Sequence, residues 1–426
     1  MRFIRLALLT FVVCLAAASA FGSGFSIFEQ GAKATGMAGA FVATADDGSA
    51  IFYNPAGLAQ QREMKVLAGA TFITFSNEFR GDPESEVTSG VRGQYNAHTF
   101  IPPNLYASMP IGDNFTVGVG VFSAWGLRTD WADPWPGRYI SRDADLKTAS
   151  FNPAIAWQTD DGRLAIGGGV EYRKARVFLN ANNLALNPFT GRVADIANVR
   201  LASEYGHDIG WNLGVLFKPS SRFRIGASYR SEMDIDLEGR AEVKQIPTGN
   251  AQFDAIVGMQ LPPNQPITTN FPFPAVAIAG IAFSPSDRTD IEFNISHMTW
   301  SRFEALTVNF LTTPAAGFVR EQNWKDSSAF RLGMNHRATD RWDVRLGAVY
   351  DQNPQPVESV NPLLPDADRV GVTMGTAFRY RSWTAEWALM VLHFKDRDTR
   401  GSNPEGFDGL YKSDAMLLGV NLGYRF

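Results

Sequence analysis

The sequence predicts an all-β fold: a transmembrane antiparallel β-barrel of 14 strands, with an N-terminal plug (hatch) inside the lumen. Three observations predict the barrel. An export signal begins the chain, two-residue alternation of apolar and polar side chains runs from Glu63 to Phe426, and short turns alternate with long loops. A closed barrel pairs every backbone group within lipid, which an open sheet cannot do. The predicted domains are a signal peptide (1–20), a plug (21–60) and the barrel (61–426).

Residues 1–20 have the pattern of a secretory signal. Arg2 and Arg5 precede an apolar run over 6–18, which is too short to span a membrane as a helix. The small residues Ala18-Ser19-Ala20 form a cleavage site, so the mature chain is predicted to begin at residue 21. A lipoprotein signal ending at Cys14 is the alternative, but the preceding Phe-Val-Val lacks the expected small residue.

Composition narrows the function classes. The chain has 39 Lys and Arg against 43 Asp and Glu, a net charge of −4, and no basic run, which argues against nucleic acid as a partner. Its single cysteine, Cys14, leaves with the signal, so the mature chain has no disulfide, thiolate metal site or Cys nucleophile. No stretch of 18 apolar residues follows the signal, which excludes a helical bundle of the inner membrane. A periplasmic or secreted globular protein remains the alternative to the barrel.

The segment 21–60 is rich in Gly, Ala and Ser, as suits a chain packed tightly inside another structure. A short helix is predicted within Glu29–Gly39, although its glycines weaken it. Pro55 fixes its own φ and drives Asn54 to an extended conformation. With Gly57 permitting a turn, 54–58 is predicted to be a rigid corner.

From Glu63 the alternation has the contrast expected of lipid-facing and lumen-facing sides. In the last strand Leu422 is predicted to face lipid and Asn421 the lumen. Six short turns are predicted at 111–114, 160–162, 219–222, 285–288, 338–341 and 380–382. Seven long loops are predicted at 76–95, 126–146, 178–201, 238–271, 301–325, 353–367 and 396–412. These connections require 14 strands and place both barrel ends on the periplasmic side.

Aromatic residues near the strand ends are typical of an interfacial girdle. The predicted members are Trp300, Trp324, Trp342, Tyr380, Trp383 and Phe426. Trp131, Trp135 and Tyr139 of loop 126–146 are interpreted in the same way, with contact to lipopolysaccharide or ligand as the alternative. A C-terminal Tyr-x-Phe is also typical of outer-membrane barrels.

Several of these motifs together resemble the FadL-type transporters of the bacterial outer membrane. The resemblance rests on Asn54-Pro55-Ala56 at the end of the plug, Trp125-Gly126-Leu127 through Gly137-Arg138-Tyr139, the order of the loops and the terminal Phe426. It implies passive uptake of hydrophobic molecules, most readily long-chain fatty acids, at the outer membrane of a Gram-negative bacterium. It further implies release past the plug and sideways through a gap at the third strand. Aromatic hydrocarbons by the same route are the alternative substrate.

The candidate site residues fall into four groups. The plug and its gating are assigned to Phe52, Tyr53, Asn54, Pro55, Ala56 and Gly57. Capture by outer loops is assigned to Leu184, Leu186, Phe189, Phe253, Ile256, Val257 and Leu261, which otherwise only cap the barrel. Carboxylate binding in the lumen is assigned to Arg224, Arg230, Arg331 and Arg345, which otherwise pair with Glu171, Glu232, Asp343 or Glu386. Distortion of the third strand, 115–124, is assigned to Gly118 and Gly120.

An enzyme is not expected, since the five histidines lie in no catalytic motif. A barrel hydrolase is the rival from another class, testable on ester substrates, and a hydrophilic porin is the third possibility. No cofactor and no metal are expected; the acid pairs Asp143/Asp145 and Asp396/Asp398 are interpreted as solvated loop acids. The expected partners are a hydrophobic ligand, outer-membrane lipid and lipopolysaccharide, with the chain a monomer.

Overall fold

The structure is a computed structural model, and it describes residues 24–426. The predicted signal peptide, Cys14 and the first three residues of the predicted plug lie outside the described residues. The strands are β1 (Lys65–Gly81), β2 (Arg92–Gln94), β3 (Thr99–Phe100), β4 (Pro103–Ile111), β5 (Phe115–Phe122), β6 (Gly126–Asp130), β7 (Asp143–Gln158), β8 (Leu164–Asn187), β9 (Arg192–Ser203), β10 (Gly206–Phe217), β11 (Phe223–Arg230), β12 (Met233–Gln245), β13 (Gln265–Phe273), β14 (Val276–Ser286), β15 (Thr289–Met298), β16 (Ala305–Phe310), β17 (Phe318–Glu321), β18 (Ser327–Arg337), β19 (Trp342–Asp351), β20 (Arg369–Tyr380), β21 (Trp383–Phe394), β22 (Arg397–Asp398) and β23 (Gly409–Arg425).

Helices are few and short. The α-helices are α1 (Ala32–Gly36), α2 (Ala50–Tyr53) and α3 (Ala251–Gln260), and 3₁₀ helices cover Pro55–Gln60, Pro136–Tyr139, Trp300–Arg302, Pro314–Ala316 and Val357–Ser359. Within residues 24–426, no helix has the length and hydrophobicity needed to cross a membrane. The helix predicted within Glu29–Gly39 is present as the five residues of α1.

Fourteen strands close into a barrel through antiparallel pairing. Their order around the wall is β1, β4, β5, β7, β8, β10, β11, β14, β15, β18, β19, β20, β21 and β23. The ring closes where β23 pairs with β1, from Lys65↔Arg425 to Gly81↔Gly409. The predicted all-β antiparallel barrel and its strand number are therefore confirmed.

The predicted facing of the last strand is confirmed as well. Leu422 is 49% exposed on the outer face, whereas Asn421 is 2% exposed and faces inward. All six predicted short turns connect neighbouring wall strands at one end, beside both barrel termini. Long connections leave the other end, so this end is the extracellular one.

The predicted loops differ from the structure, because strands extend into six of the seven ranges, all except 353–367. The range 178–201 continues β8 into a hairpin with β9, and 238–271 holds most of β12, α3 and most of β13. Above the membrane both faces of a hairpin meet polar surroundings, so apolar–polar alternation no longer marks the strand. The predicted third strand, 115–124, ends at Phe122 as β5.

The predicted membership of the aromatic girdle is partly wrong. Trp342, Tyr380, Trp383 and Phe426 are exposed as predicted, but Trp300 and Trp324 are buried beside Phe25. Trp131 and Trp135 stack on each other at 4.0 Å and are buried within the extracellular loops. Their positions near strand ends do not tell whether the ring points outward to lipid or inward to the core.

Candidate functional site

Residues 24–61, termed here the lumen segment, lie against the inner face of the wall. Backbone groups of the segment bond to inward side chains of strands all around the ring. The pairs are Glu29 O with Thr71 of β1, Gln30 O with Tyr106 of β4, Ala32 N with Asn421 of β23, Gly36 O with Thr373 of β20, Ala43 N with Glu292 of β15, Ile51 O with Asn212 of β10, and Tyr53 O with Ser228 of β11. Backbone groups buried in a lumen need such partners, which fixes the segment's position.

Glu292 shows how specific these contacts are. Its two carboxylate oxygens accept hydrogen bonds from Ala43 N at 2.8 Å and Thr44 N at 2.7 Å. A carboxylate that accepts two backbone N–H groups is among the stronger side chain–backbone contacts in proteins. The side chain is fully buried, so it is available to the segment alone.

The corner predicted at 54–58 has the expected backbone. Asn54 is extended, with φ −161° and ψ 102°, and Pro55 begins a 3₁₀ helix. The Asn54 amide donates to Val42 O at 2.8 Å and to Val215 O at 3.0 Å, and its oxygen accepts from Ala56 N. The corner is thus bonded to the segment and to β10 at once. Gly57 lets the chain approach Ala45 closely, because a Cβ at position 57 would overlap Ala45 O.

Glycines on the inner face let the lumen segment approach the wall. A Cβ on Gly226 would overlap the Val42 carbonyl, and one on Gly347 would lie 2.6 Å from the Met37 carbonyl carbon. Backbone atoms cannot rotate away as side chains can. The Gly–polar alternation of the sequence therefore reflects packing of this segment.

The four predicted lumen arginines all face inward, and each has a carboxylate partner. The pairs are Arg224 with Asp290, Arg230 with Glu171, Arg331 with Asp351 at 3.9 Å, and Arg345 with Glu386 at 2.9 Å and Asp343 at 3.6 Å. Glu232 instead pairs with Arg302 at 2.5 Å, so that proposed partner is wrong. The Arg331 guanidinium also lies 4.0 Å from the Phe28 ring centre, which ties β18 to the lumen segment. A role of these arginines toward a ligand stays a prediction.

Three cavities follow one another from the extracellular hairpins to the lumen segment. The outer cavity, of about 310 Å³, lies between the β8–β9 hairpin, β12 and β16. A middle cavity of about 40 Å³ shares Leu179 and Leu363 with it. An inner cavity of about 160 Å³ shares Phe25, Leu127 and Leu364 with the middle one. The residues common to neighbouring cavities are all apolar.

The inner cavity combines apolar walls with ionisable groups. Ile73, Phe75, Phe100, Leu392, Phe394 and Leu417 supply apolar surface. Arg128, Arg369 and His98 line it too; Arg369 donates twice to Asp351, at 2.9 and 3.0 Å, and His98 pairs with Asp130. Arg128 is half exposed and 3.9 Å from Asp130, so it is the less engaged of the two arginines.

The inner cavity reaches an interruption of the barrel wall at the third strand. Pairing between β4 and β5 ends at Leu105↔Val121 and resumes at the Tyr95↔Trp131 bridge. Between them the chain at 123–126 turns to the lumen segment, where Ile27 N donates to Ala124 O at 2.8 Å and Gly126 N donates to Phe25 O at 3.1 Å.

The glycines predicted to distort this strand do not lie at the interruption. Gly118 and Gly120 sit in regularly paired β5 and face Ile51 of the lumen segment. The break comes after Phe122, at 123–126, where the glycine is Gly126 instead. Their role in lateral release stays a prediction.

The outer-loop residues proposed for capture are spread over two hairpins. Phe253 and Val257 are buried on the inner side of α3, whereas Ile256 of the same helix is exposed. Leu186 and Phe189 are exposed too. The outer cavity is lined instead by neighbours such as Leu179, Leu201, Val243, Pro262 and Phe310. Capture by the predicted residues stays a prediction.

The loop that follows β19 lies inward, a position that was not predicted from the sequence. Residues 353–367, predicted as an outer loop, fold inward and are mostly buried. Leu363 lines the outer and middle cavities, and Leu364 lines the middle and inner cavities. Asp366 accepts a hydrogen bond from Gly24 N at 2.9 Å, which joins this loop to the lumen segment. A signal was present, because the run from Asn353 to Pro365 has a single charge and four prolines, an unusual composition for a solvated loop.

Burial raises the pKa of Asp366 to about 6. If the loop swings outward, this carboxyl regains water and its ordinary pKa near 4. The inward position is then most favoured below about pH 4, and this advantage is lost as pH rises to about 6.

We expect a Ser359→Cys probe to react faster with a thiol reagent at pH 7 than at pH 5, relative to the same probe in an Asp366→Asn background. An identical pH dependence in both backgrounds would contradict the assignment to Asp366.

The acid pairs considered for cations are occupied within the protein. Asp143 accepts from Asn180, Asp145 lies 3.0 Å from Lys147, Asp396 lies 2.6 Å from Lys412, and Asp398 pairs with Arg400. Across residues 24–426 no group of three or more His, Cys, Asp or Glu side chains is arranged to hold a metal.

Comparison with known proteins gives consistent matches along the whole chain. A family described as "Outer membrane protein transport protein (OMPP1/FadL/TodX)" matches residues 13–426. The long-chain fatty acid transport protein of Salmonella typhi is 24% identical over 445 residues, covering 98% of both chains. The 47 kDa outer membrane protein of Pasteurella multocida is 27% identical over 432 residues, again covering 98% of both.

Solved structures support the fold. A Pseudomonas aeruginosa FadL homologue superposes with a TM-score of 0.83 at 20% identity, covering 95% of this chain and 100% of that one. The toluene transporter TodX of P. putida gives 0.72 at 17% identity, covering 96% and 99%.

Proposed function

The chain belongs to the outer membrane protein transport family (OMPP1/FadL/TodX), and from this premise we propose that it carries long-chain fatty acids. Membership makes it a transporter of hydrophobic compounds in the outer membrane of a Gram-negative bacterium, and members of the family are transport channels rather than enzymes. The substrate, the route and the roles of individual residues are the proposal.

The row of three cavities carries the proposal. A molecule captured in the outer cavity passes Leu179 and Leu363, then Phe25, Leu127 and Leu364, and arrives beside the lumen segment. The wall interruption at 123–126 borders the inner cavity, which offers a sideways exit into the bilayer. Such a route needs no water-filled channel, and the lumen segment acts as the plug that prevents one.

Fatty acids suit the inner cavity better than aromatic hydrocarbons. Its apolar walls would hold an alkyl chain, while Arg128 and Arg369 lie where a carboxylate would need a cation. A hydrocarbon would leave these polar groups facing an apolar ligand, which costs free energy. The relatives named as fatty acid transporters agree with this choice, whereas the structural likeness to the toluene transporter concerns the fold alone.

Uptake assays separate the two substrates. A host that lacks its own outer-membrane fatty acid transporter, supplied with this chain, is expected to take up radiolabelled oleate and not toluene. Toluene uptake without oleate uptake would replace the proposal by its aromatic alternative. We also propose that the chain acts as a monomer, since the barrel closes through β1 and β23 of one chain.

The route predicts a strong effect at Leu179, which lines both the outer and middle cavities. Leu179→Trp is expected to lower oleate uptake about tenfold at low oleate concentration, because the larger ring fills the narrow passage. The matched control is Ile166→Trp on the same strand, whose side chain is 48% exposed and lines none of the three cavities. Equal uptake by the two variants, at equal amounts of assembled barrel, would refute the cavity route.

A further inference from the structure

A cluster of basic residues lies on the outer surface of the barrel where the apolar band ends on the extracellular side. On β7 and β8, Lys147 is the direct neighbour of Arg176, and on β8 and β10, Lys174 is the direct neighbour of His207. Side chains two residues apart on a strand share a face, so the four residues form one patch.

Two of these basic residues, Lys174 and Arg176, have no carboxylate partner among the described residues. Within residues 24–426 no carboxylate lies within 4.0 Å of Lys174 or Arg176, both of which are exposed. Each instead approaches an aromatic ring: Lys174 lies 5.8 Å from the Tyr172 ring and Arg176 lies 5.1 Å from the Tyr205 ring. Contact with a ring orients a cation without neutralising it, which leaves both able to bind an anion.

On the opposite side of the barrel, the basic residues at the same boundary do have carboxylate partners. At the same boundary on β21 and β23, His393 pairs with Asp414 at 2.8 Å and Lys412 pairs with Asp396 at 2.6 Å. In the patch, Lys147 alone has such a partner, Asp145 at 3.0 Å. An excess of positive charge therefore remains on β8.

The surface below the patch is apolar and continuous with it. Tyr172 is opposite Phe151 and Ile209, and Val170 is opposite Trp211, so the same three strands carry exposed apolar side chains toward the membrane centre. An anion held by the patch thus has a hydrocarbon-binding surface directly beneath it. A ligand with a phosphate at the interface and acyl chains in the membrane matches both features.

We propose that Lys174 and Arg176 bind a phosphate of the lipid A part of lipopolysaccharide in the outer leaflet. Arg176 offers a planar fork that matches phosphate oxygens, and Lys174 adds a point charge beside it. The acyl chains would lie along Val170, Ile209 and Trp211. The site is on the outside of the barrel, so it is separate from the cavity route.

The test uses the full mature barrel purified in detergent and titrated with lipid A, with bound lipid counted by native mass spectrometry. The double variant Lys174→Gln/Arg176→Gln is expected to bind lipid A at least tenfold more weakly than the parent, and Lys412→Gln to bind it unchanged. Lipid A stripped of both phosphates should bind the parent as weakly as the double variant does. Inorganic phosphate at the same concentration should not displace lipid A.

Equal lipid A binding by the parent and the double variant would overturn the proposal, as would equal binding of the dephosphorylated lipid. Displacement by inorganic phosphate would overturn the assignment to a lipid. Oleate uptake by the double variant is expected to be unchanged, so this result is independent of the transport proposal. Heat-modifiable gel mobility confirms that each variant is folded.

Discussion

Deletion of residues 21–58 is expected to leave an assembled barrel that conducts ions and small polar solutes freely and no longer takes up oleate selectively. The reason is that the lumen segment is hydrogen-bonded to wall strands from β1 around to β23, while the wall's own ladder does not depend on it. The groups freed by the deletion, such as Glu292, Asn212 and Asn421, are polar and would be hydrated in an open lumen.

Single-channel conductance in planar bilayers measures this effect directly. The intact chain should show little or no steady conductance, and the deletion variant should show open channels. The control is folding, checked by resistance to unfolding in detergent at room temperature. An assembled deletion variant that conducts no more than the parent would show that the segment is not a plug.

Gly226→Val is expected to produce much of the same leak with the whole chain present. Its Cβ would overlap the Val42 carbonyl, so the added side chain cannot be accommodated unless the lumen segment moves. Overpacking of this kind costs about 1–3 kcal/mol. Each 1.4 kcal/mol changes a conformational ratio about tenfold, so the displaced position should become measurably populated.

The matched control is Gly168→Val on β8, an outward position where the added Cβ meets the flexible Leu213 side chain at 2.9 Å. Both changes add the same side chain to a wall glycine, but only the first opposes the segment. Conductance should therefore rise for Gly226→Val and stay at the parent level for Gly168→Val. A rise of equal size in both would assign the leak to wall damage instead of to the plug.

Facing and strand number were predictable from the sequence because both are local properties. Alternation at two-residue spacing decides whether Leu422 or Asn421 meets lipid, and turns such as 160–162 bring the chain back at one end. The same parity placed the lumen arginines inward. Three of the four carboxylates proposed as their partners, Glu171, Asp343 and Glu386, do pair with Arg230 or Arg345. The extended Asn54 before Pro55 follows from the steric effect of proline.

Only the tertiary structure decided which side chains form the route. Leu179, Leu363 and Phe25 are far apart in sequence, and a cavity between them exists because their surfaces fail to fill the space they share. Trp300 and Trp324 lie near strand ends like girdle residues, yet they turn inward because the lumen segment brings Phe25 against them. The loop at 353–368 folds inward for a similar reason, because its buried Asp366 bonds to Gly24, which is distant from it in sequence. Alternation records the side of the wall on which a residue lies, but the partner it meets there depends on the packing of distant segments.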